Sequence, residues 1–86
     1  MYYVYVLKSL KDKKLYTGST DNLENRLKAH TEGSVTATKV RRPLKLIYYE
    51  AFLNKTDARK EELFYKTGYG REVLKKKIEN SIRAIV

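Results

Sequence analysis

Residues 2–18 read YYVYVLKSLKDKKLYTG, and the fold turns on how this stretch is read. Residues 2–7 are aromatic, β-branched or leucine with no polar alternation, which suits a strand covered on both faces. Residues 8–14 are polar and of hairpin length. A second strand over residues 15–18, with one or two flanking residues, is therefore expected to return antiparallel to the first.

Outward from this hairpin the pattern changes to helical spacing. Asp21 and Glu24 have the separation of a capping-box variant, Leu23 and Leu27 repeat at helical intervals, and Gly33 stands where a helix over residues 22–32 would close. Residues 33–43 are small, hydroxylated and basic, with Arg41 and Arg42 before the only proline; they read as a surface loop able to meet phosphates. Residues 44–53 alternate at first and become apolar in the middle, which predicts a third strand in a central position. Thr56 can cap a helix over residues 57–67, broken by Gly68 and Gly70. A last helix over residues 71–85 carries Leu74, Ile78 and Ile82 on one stripe beside Lys75, Lys76 and Lys77. Without a repeat, linker or low-complexity tract, residues 1–86 are expected to form one α+β domain. Its element order is β-β-α-β-α-α.

Charge narrows the function. Nineteen Lys and Arg against ten Asp and Glu give a formal +9, an excess that phosphate backbones reward by counterion release. The candidate helices carry mixed charge rather than a basic face opposite an aromatic one, which argues against a membrane surface. The longest apolar run is far shorter than the ~20 residues a span requires. No cysteine is present, so neither a disulfide framework nor a thiolate metal site is available. With no signal-peptide layout either, a cytoplasmic location is expected.

Several positions gain meaning in order. Tyr3-Val4-Tyr5 in the first strand, Tyr16-Thr17-Gly18 in the second, Arg26 and His30 on the first helix and Glu62 on the second resemble the GIY-YIG nuclease superfamily, nearest its small single-domain bacterial members (UPF0213-like). Tyr-Val-Tyr stands here where the family name has Gly-Ile-Tyr. The resemblance implies a three-stranded antiparallel sheet flanked by helices and a metal-dependent endonuclease acting on DNA or RNA, DNA first. Carried over by position, Tyr5 and Tyr16 are the paired motif tyrosines, Arg26 the catalytic arginine, His30 an accessory site residue and Glu62 the ligand of one Mg²⁺ or Mn²⁺. Family members that recognise a particular sequence usually do so through an attached domain. Low intrinsic specificity, or specificity lent by a protein partner, is expected here.

The residue types suit the chemistry. A single carboxylate such as Glu62 can hold Mg²⁺, which keeps several waters and takes substrate phosphate as a further ligand. Arg26 offers a planar fork of donors to a phosphoryl group, and His30, four residues on, shares its side of a helix. A tyrosine with pKa ~10 is a poor base until a nearby cation or arginine favours its phenolate. Each position also has a plainer reading. Tyr5 and Tyr16 are two of eight tyrosines and suit a core, Arg26 and Glu62 suit a solvated helix face, and His30 suits a structural role as well as proton transfer. Gly18 reads as a backbone device for close packing or a turn. Lys66 could contact phosphate or pair with Glu62 one turn earlier, and Arg41 and Arg42 are candidate backbone contacts. The rival from another class is a nucleic-acid-binding module on the same fold that has lost turnover.

Overall fold

In a computed structural model, described over residues 1–84, three strands form one antiparallel sheet: β1 (Tyr2–Ser9), β2 (Leu15–Thr20) and β3 (Leu44–Phe52). Four helices flank it, α1 (Leu23–Glu32), α2 (Lys55–Tyr65), α3 (Gly68–Lys77) and α4 (Glu79–Ala84), with a single 3₁₀ turn at Lys39–Arg41 before β3. The sheet order is β2-β1-β3, so β1 is central and β3 is an edge, contrary to the central place expected for β3. The reason lies in side-chain burial. Val4 to Leu7 are all essentially inaccessible, whereas Tyr49 in the seemingly apolar middle of β3 is 52% exposed, a tyrosine keeping its polar tip in water.

Side chains of β1 alternate between two different environments. Val4 and Val6 pack against Ala58 and Tyr65 of α2, Leu74 of α3 and Ile78, the core of the domain. Tyr5 and Leu7 face the other way and are equally buried, together with His30 and Thr38. Directly paired residues share a face, so Gly18, opposite Tyr5, and Tyr16, opposite Leu7, stand on the Tyr5 face, while Ser19, opposite Val4, stands on the Val4 face. This division positions everything that follows.

Helix ends differ in detail from the sequence reading. Asn22, rather than Asp21, caps α1 by accepting from the Asn25 amide, and Gly33 closes it in the left-handed conformation. Asn54 caps α2 by accepting from the Thr56 amide, so α2 starts before Thr56. The last helix is two: α3 begins at Gly68, three residues ahead of expectation, and stops at Ile78 before α4; the expected end at Ile85 lies outside the described residues. Gly68 and Gly70 thus open α3 rather than merely breaking α2, with Thr67 as N-cap accepting from the Gly70 amide.

A partly buried carboxylate ties β3 to the helices. One oxygen of Glu50 accepts from the hydroxyls of Tyr48 and Tyr65 and from Lys77 Nζ at 3.0 Å. Burial pushes Glu50 up, but these donors outweigh it and hold the carboxyl below its ordinary range.

The two glycines of α3 are not equivalent. A Cβ on Gly70 would lie 1.8 Å from the backbone oxygen of Phe64, whereas one on Gly68 would meet nothing within 4 Å. Gly70→Ala is expected to cost about 2 kcal/mol or more in urea denaturation, as backbone must move. Gly68→Ala is expected to stabilise by about 0.4–1 kcal/mol through the unfolded chain. Equal effects would contradict the α2–α3 packing described.

Candidate active site

The Tyr5 face carries a line of polar groups through otherwise buried surroundings. Arg26 Nε donates to the Tyr5 hydroxyl at 3.3 Å. The Tyr5 hydroxyl lies 2.7 Å from His30 Nε2, and His30 Nδ1 lies 2.7 Å from Thr38 Oγ1. Burial, with Arg26 adding to it, pushes His30 below its ordinary pKa, so the imidazole is neutral. We assign Tyr5 O–H as donating to Nε2 and Nδ1–H as donating to Thr38, which fits Arg26 donating to Tyr5, although the opposite tautomer also fits the same contacts. Tyr16 closes the cluster, its ring centroid 5.2 Å from that of His30 and 6.4 Å from that of Tyr5. Hydrogen bonding to Tyr5, with Tyr16 adding to it, holds Arg26 firmly protonated against the opposing effect of burial.

Burial also raises Tyr5 above the ordinary tyrosine value, and Arg26 only partly offsets it. The resting group is a phenol, not the phenolate that the neighbouring arginine alone would suggest. Gly18 makes no turn: it sits in mid-β2 opposite Tyr5, and a Cβ there would lie 2.5 Å from the Tyr5 hydroxyl. Its missing side chain is the space into which the phenol fits.

Glu62 reaches the site from the other face. It is 5% exposed; one oxygen accepts from Ser19 Oγ at 2.7 Å and Arg59 at 2.6 Å, the other from Lys66 at 2.9 Å. Burial works against its charge, but Lys66, Ser19 and Arg59 prevail and hold it below the usual carboxylate range. Its charge in turn helps to raise Tyr5, and Ser19 adjoins Gly18, so the two groups stand on opposite faces of β2 at neighbouring residues. A cleft of about 330 Å³ lies at the end of β2, lined by Arg26 from one face and by Ser19 and Arg59 from the other, the direct partners of Tyr5 and of Glu62 respectively.

Tyr5, Tyr16, Arg26 and His30 therefore share one cluster, with Glu62 beside it. Lys66 forms the i,i+4 pair with Glu62. Arg41 and Arg42 are not brought to this site. Arg41 pairs with Asp12 at 2.8 Å and reaches the Leu15 carbonyl, which fastens the β1–β2 turn. Arg42 spans the Lys39 and Thr31 carbonyls. Their loop is not wholly surface either, since Val35 and Thr38 are buried within it. Three site neighbours escaped the sequence reading. Thr38 gave no signal of burial in its hydroxylated loop, and Ser19 follows the motif glycine without pattern. Arg59 was marked only by its i,i+3 spacing from Glu62.

Among the described residues no three His, Cys, Asp or Glu side chains are grouped to hold a metal ion. The donor set fits only a hard cation that keeps most of its waters, such as Mg²⁺ or Mn²⁺. Glu62 is ionised, and its partners Arg59 and Lys66 have side chains 60% and 46% exposed, long stems free to swing aside.

Against known proteins, the model of the GIY-YIG catalytic domain matches residues 1–78. The chain belongs to the GIY-YIG family, a family of nucleases. Among its relatives are UPF0213 protein CPE1444 of Clostridium perfringens, 51% identical over 77% of this chain and 71% of the relative, and UPF0213 protein SH2523 of Staphylococcus haemolyticus, 43% identical over 86% and 90%. The solution NMR structure of UPF0213 protein BH0048 from Bacillus halodurans is similar as well, with a TM-score of 0.53, 35% identity and coverage of 86% of this chain and 82% of that one.

Thr38→Val keeps the shape of the side chain but leaves a buried imidazole nitrogen, Nδ1 of His30, without its hydrogen-bond partner, a loss of about 1–3 kcal/mol. The exposed neighbour change Thr36→Val is expected to stay within about 0.5 kcal/mol. Chemical denaturation of the two variants side by side checks the difference, and an unaffected Thr38→Val would contradict the assigned line of hydrogen bonds.

Proposed function

We propose that the protein is a metal-dependent endonuclease that hydrolyses phosphodiester bonds in DNA, with RNA as the second candidate. The carrying observation is the line Arg26–Tyr5–His30–Thr38 beside the ionised Glu62. A divalent cation at Glu62 would neutralise charge on the phosphoryl oxygens and lower the pKa of a bound water.

The remaining work falls to this chain's side chains. Arg26, charged and facing the cleft, holds a phosphoryl oxygen. Tyr5 is inaccessible in the resting fold, so its part requires the cleft to open past Arg26; Tyr5 then passes its own proton to the neutral His30 Nε2 as its oxygen takes a proton from the attacking water. The new P–O bond forms while the P–O3′ bond breaks, and the departing 3′ oxygen is protonated from solvent. Thr38, as acceptor for Nδ1–H, keeps the imidazole in the tautomer whose Nε2 is free to receive. Because burial keeps Tyr5 a phenol, this coupled transfer supplies the base that a preformed phenolate would otherwise have been.

A nicking assay on supercoiled plasmid with Mg²⁺ or Mn²⁺ tests the proposal. Tyr5→Phe is expected to lower kcat by about 10²–10⁴-fold, the range for a lost acid–base group, and Glu62→Gln to abolish dependence on the cation. Unchanged cleavage in both variants would sink the assignment. The pH profile adds a sign: His30 must be neutral to accept, so kcat/KM is expected to fall on the acid side with a midpoint below 6.5, following its lowered pKa. One observation favours the rival reading, a binding module without turnover: both oxygens of Glu62 are already taken by Ser19, Arg59 and Lys66. That reading predicts salt-sensitive DNA binding and no metal-dependent product.

A further inference from the structure

The outer edge of β2 borders a groove of about 1050 Å³ that runs from the site toward α3 and α4. Its floor is apolar, made by Leu15, Leu74 and Ile82, and its lining among the described residues holds seven Lys or Arg against two Glu. The groove starts at Tyr16 and Lys66, the first packed on the His30 ring and the second paired to Glu62. Lys13 and Lys14 flank it on the β1–β2 turn, and Arg71, Lys75 and Lys76 line it along α3. Arg71 and Lys75 are four apart and so share one side of that helix. Lys77, the third of the lysine run, is paired to Glu50; of the other two, among the described residues only Lys75 forms an ion pair, with Glu72 at a loose 4.0 Å.

A trough with an apolar floor and basic walls is badly matched to a protein segment of ordinary charge, and its crowded cations repel one another. An extended polyanion with flat apolar parts complements both features: phosphates along the walls, sugars and bases over the floor. We propose that this groove is the track for the phosphodiester backbone of the bound nucleic acid, leading the chain along the β2 edge to Tyr16 and the site. The inference rests on the nucleic-acid reading above. It assigns the binding surface to β2, α3 and α4 and makes Arg71, Lys75 and Lys76 phosphate contacts.

The test measures binding, not cleavage. Fluorescence anisotropy of a labelled DNA single strand, and of the duplex made from it, is followed with EDTA over a range of salt. Arg71→Gln, Lys75→Gln and Lys76→Gln are combined in one variant. The control carries Lys28→Gln, Lys45→Gln and Lys60→Gln, which remove the same net charge at exposed positions outside the groove. The groove variant is expected to lose at least about tenfold in affinity at about 0.1 M salt. Its salt slope should fall by about 0.9 per lost contact on the duplex and about 0.7 on the single strand. The arm with the larger loss identifies the form the groove accepts. Equal losses in groove variant and control, or none in either, would overturn the proposal, because net charge alone would then explain binding. If the triple variant no longer melts cooperatively, the single changes Arg71→Gln and Lys76→Gln, both at exposed positions, are read by the same slopes and decide in the same way. The two readings fail separately. Weakened binding without any metal-dependent product keeps the groove and removes the nuclease, and cleavage with wild-type binding in the groove variant does the reverse.

Discussion

The hydrogen bond from the buried hydroxyl of Tyr5 to the single imidazole, His30, 2.7 Å away, is the constraint around which the rest of the site is arranged. To put a phenol there, β1 must be the central strand, with Tyr5 on the face away from the main core. Gly18 must then have no side chain, because the phenol fills its place. α1 must present His30 and Arg26 together, which a four-residue spacing does, and the loop after α1 must fold inward so that Thr38 can partner the other imidazole nitrogen. A buried polar line of this kind is tolerable only if each member is satisfied, and four side chains from three different segments satisfy one another here.

The opposite face of the same strand carries the stability. Val4 and Val6 anchor α2 and α3 against the sheet, and the position of α2 delivers Glu62 to Ser19. One strand thus couples the two halves of the site: its odd positions hold the proton-handling groups, and its even positions hold the helix that brings the carboxylate. The Glu50 network performs the corresponding task for α3, tying Lys77 to Glu50 and Tyr65, while Arg71, Lys75 and Lys76 line the groove.

Much of this was legible in the chain. The unbroken apolar run at residues 2–7 announced a doubly covered strand, and Arg26 and His30 declared their shared face by spacing. What the pattern misjudged follows from tyrosine and glycine. Tyr48 and Tyr49 made β3 look like a centre strand because hydropathy does not register a hydroxyl that Glu50 binds or a ring tip left in water. Gly70 looked like a helix breaker because a sequence does not reveal that the Phe64 carbonyl approaches within a Cβ's reach. The internal partners of Arg41 and Arg42, Asp12 and the carbonyls of Thr31 and Lys39, gave no sign in the chain because they are distant in sequence or belong to the backbone. Thr38 was silent for the same reason.

The account stands on a neutral His30 that accepts from Tyr5 through Nε2. Because the chain has only one histidine, the ¹⁵N chemical shifts of its imidazole followed through a pH titration read this directly. The expected result is a protonated Nδ1 and a bare Nε2 at neutral pH, with a titration midpoint below 6.5, as burial and Arg26 require. A proton on Nε2 at neutral pH, or a midpoint at or above 6.5, would contradict it.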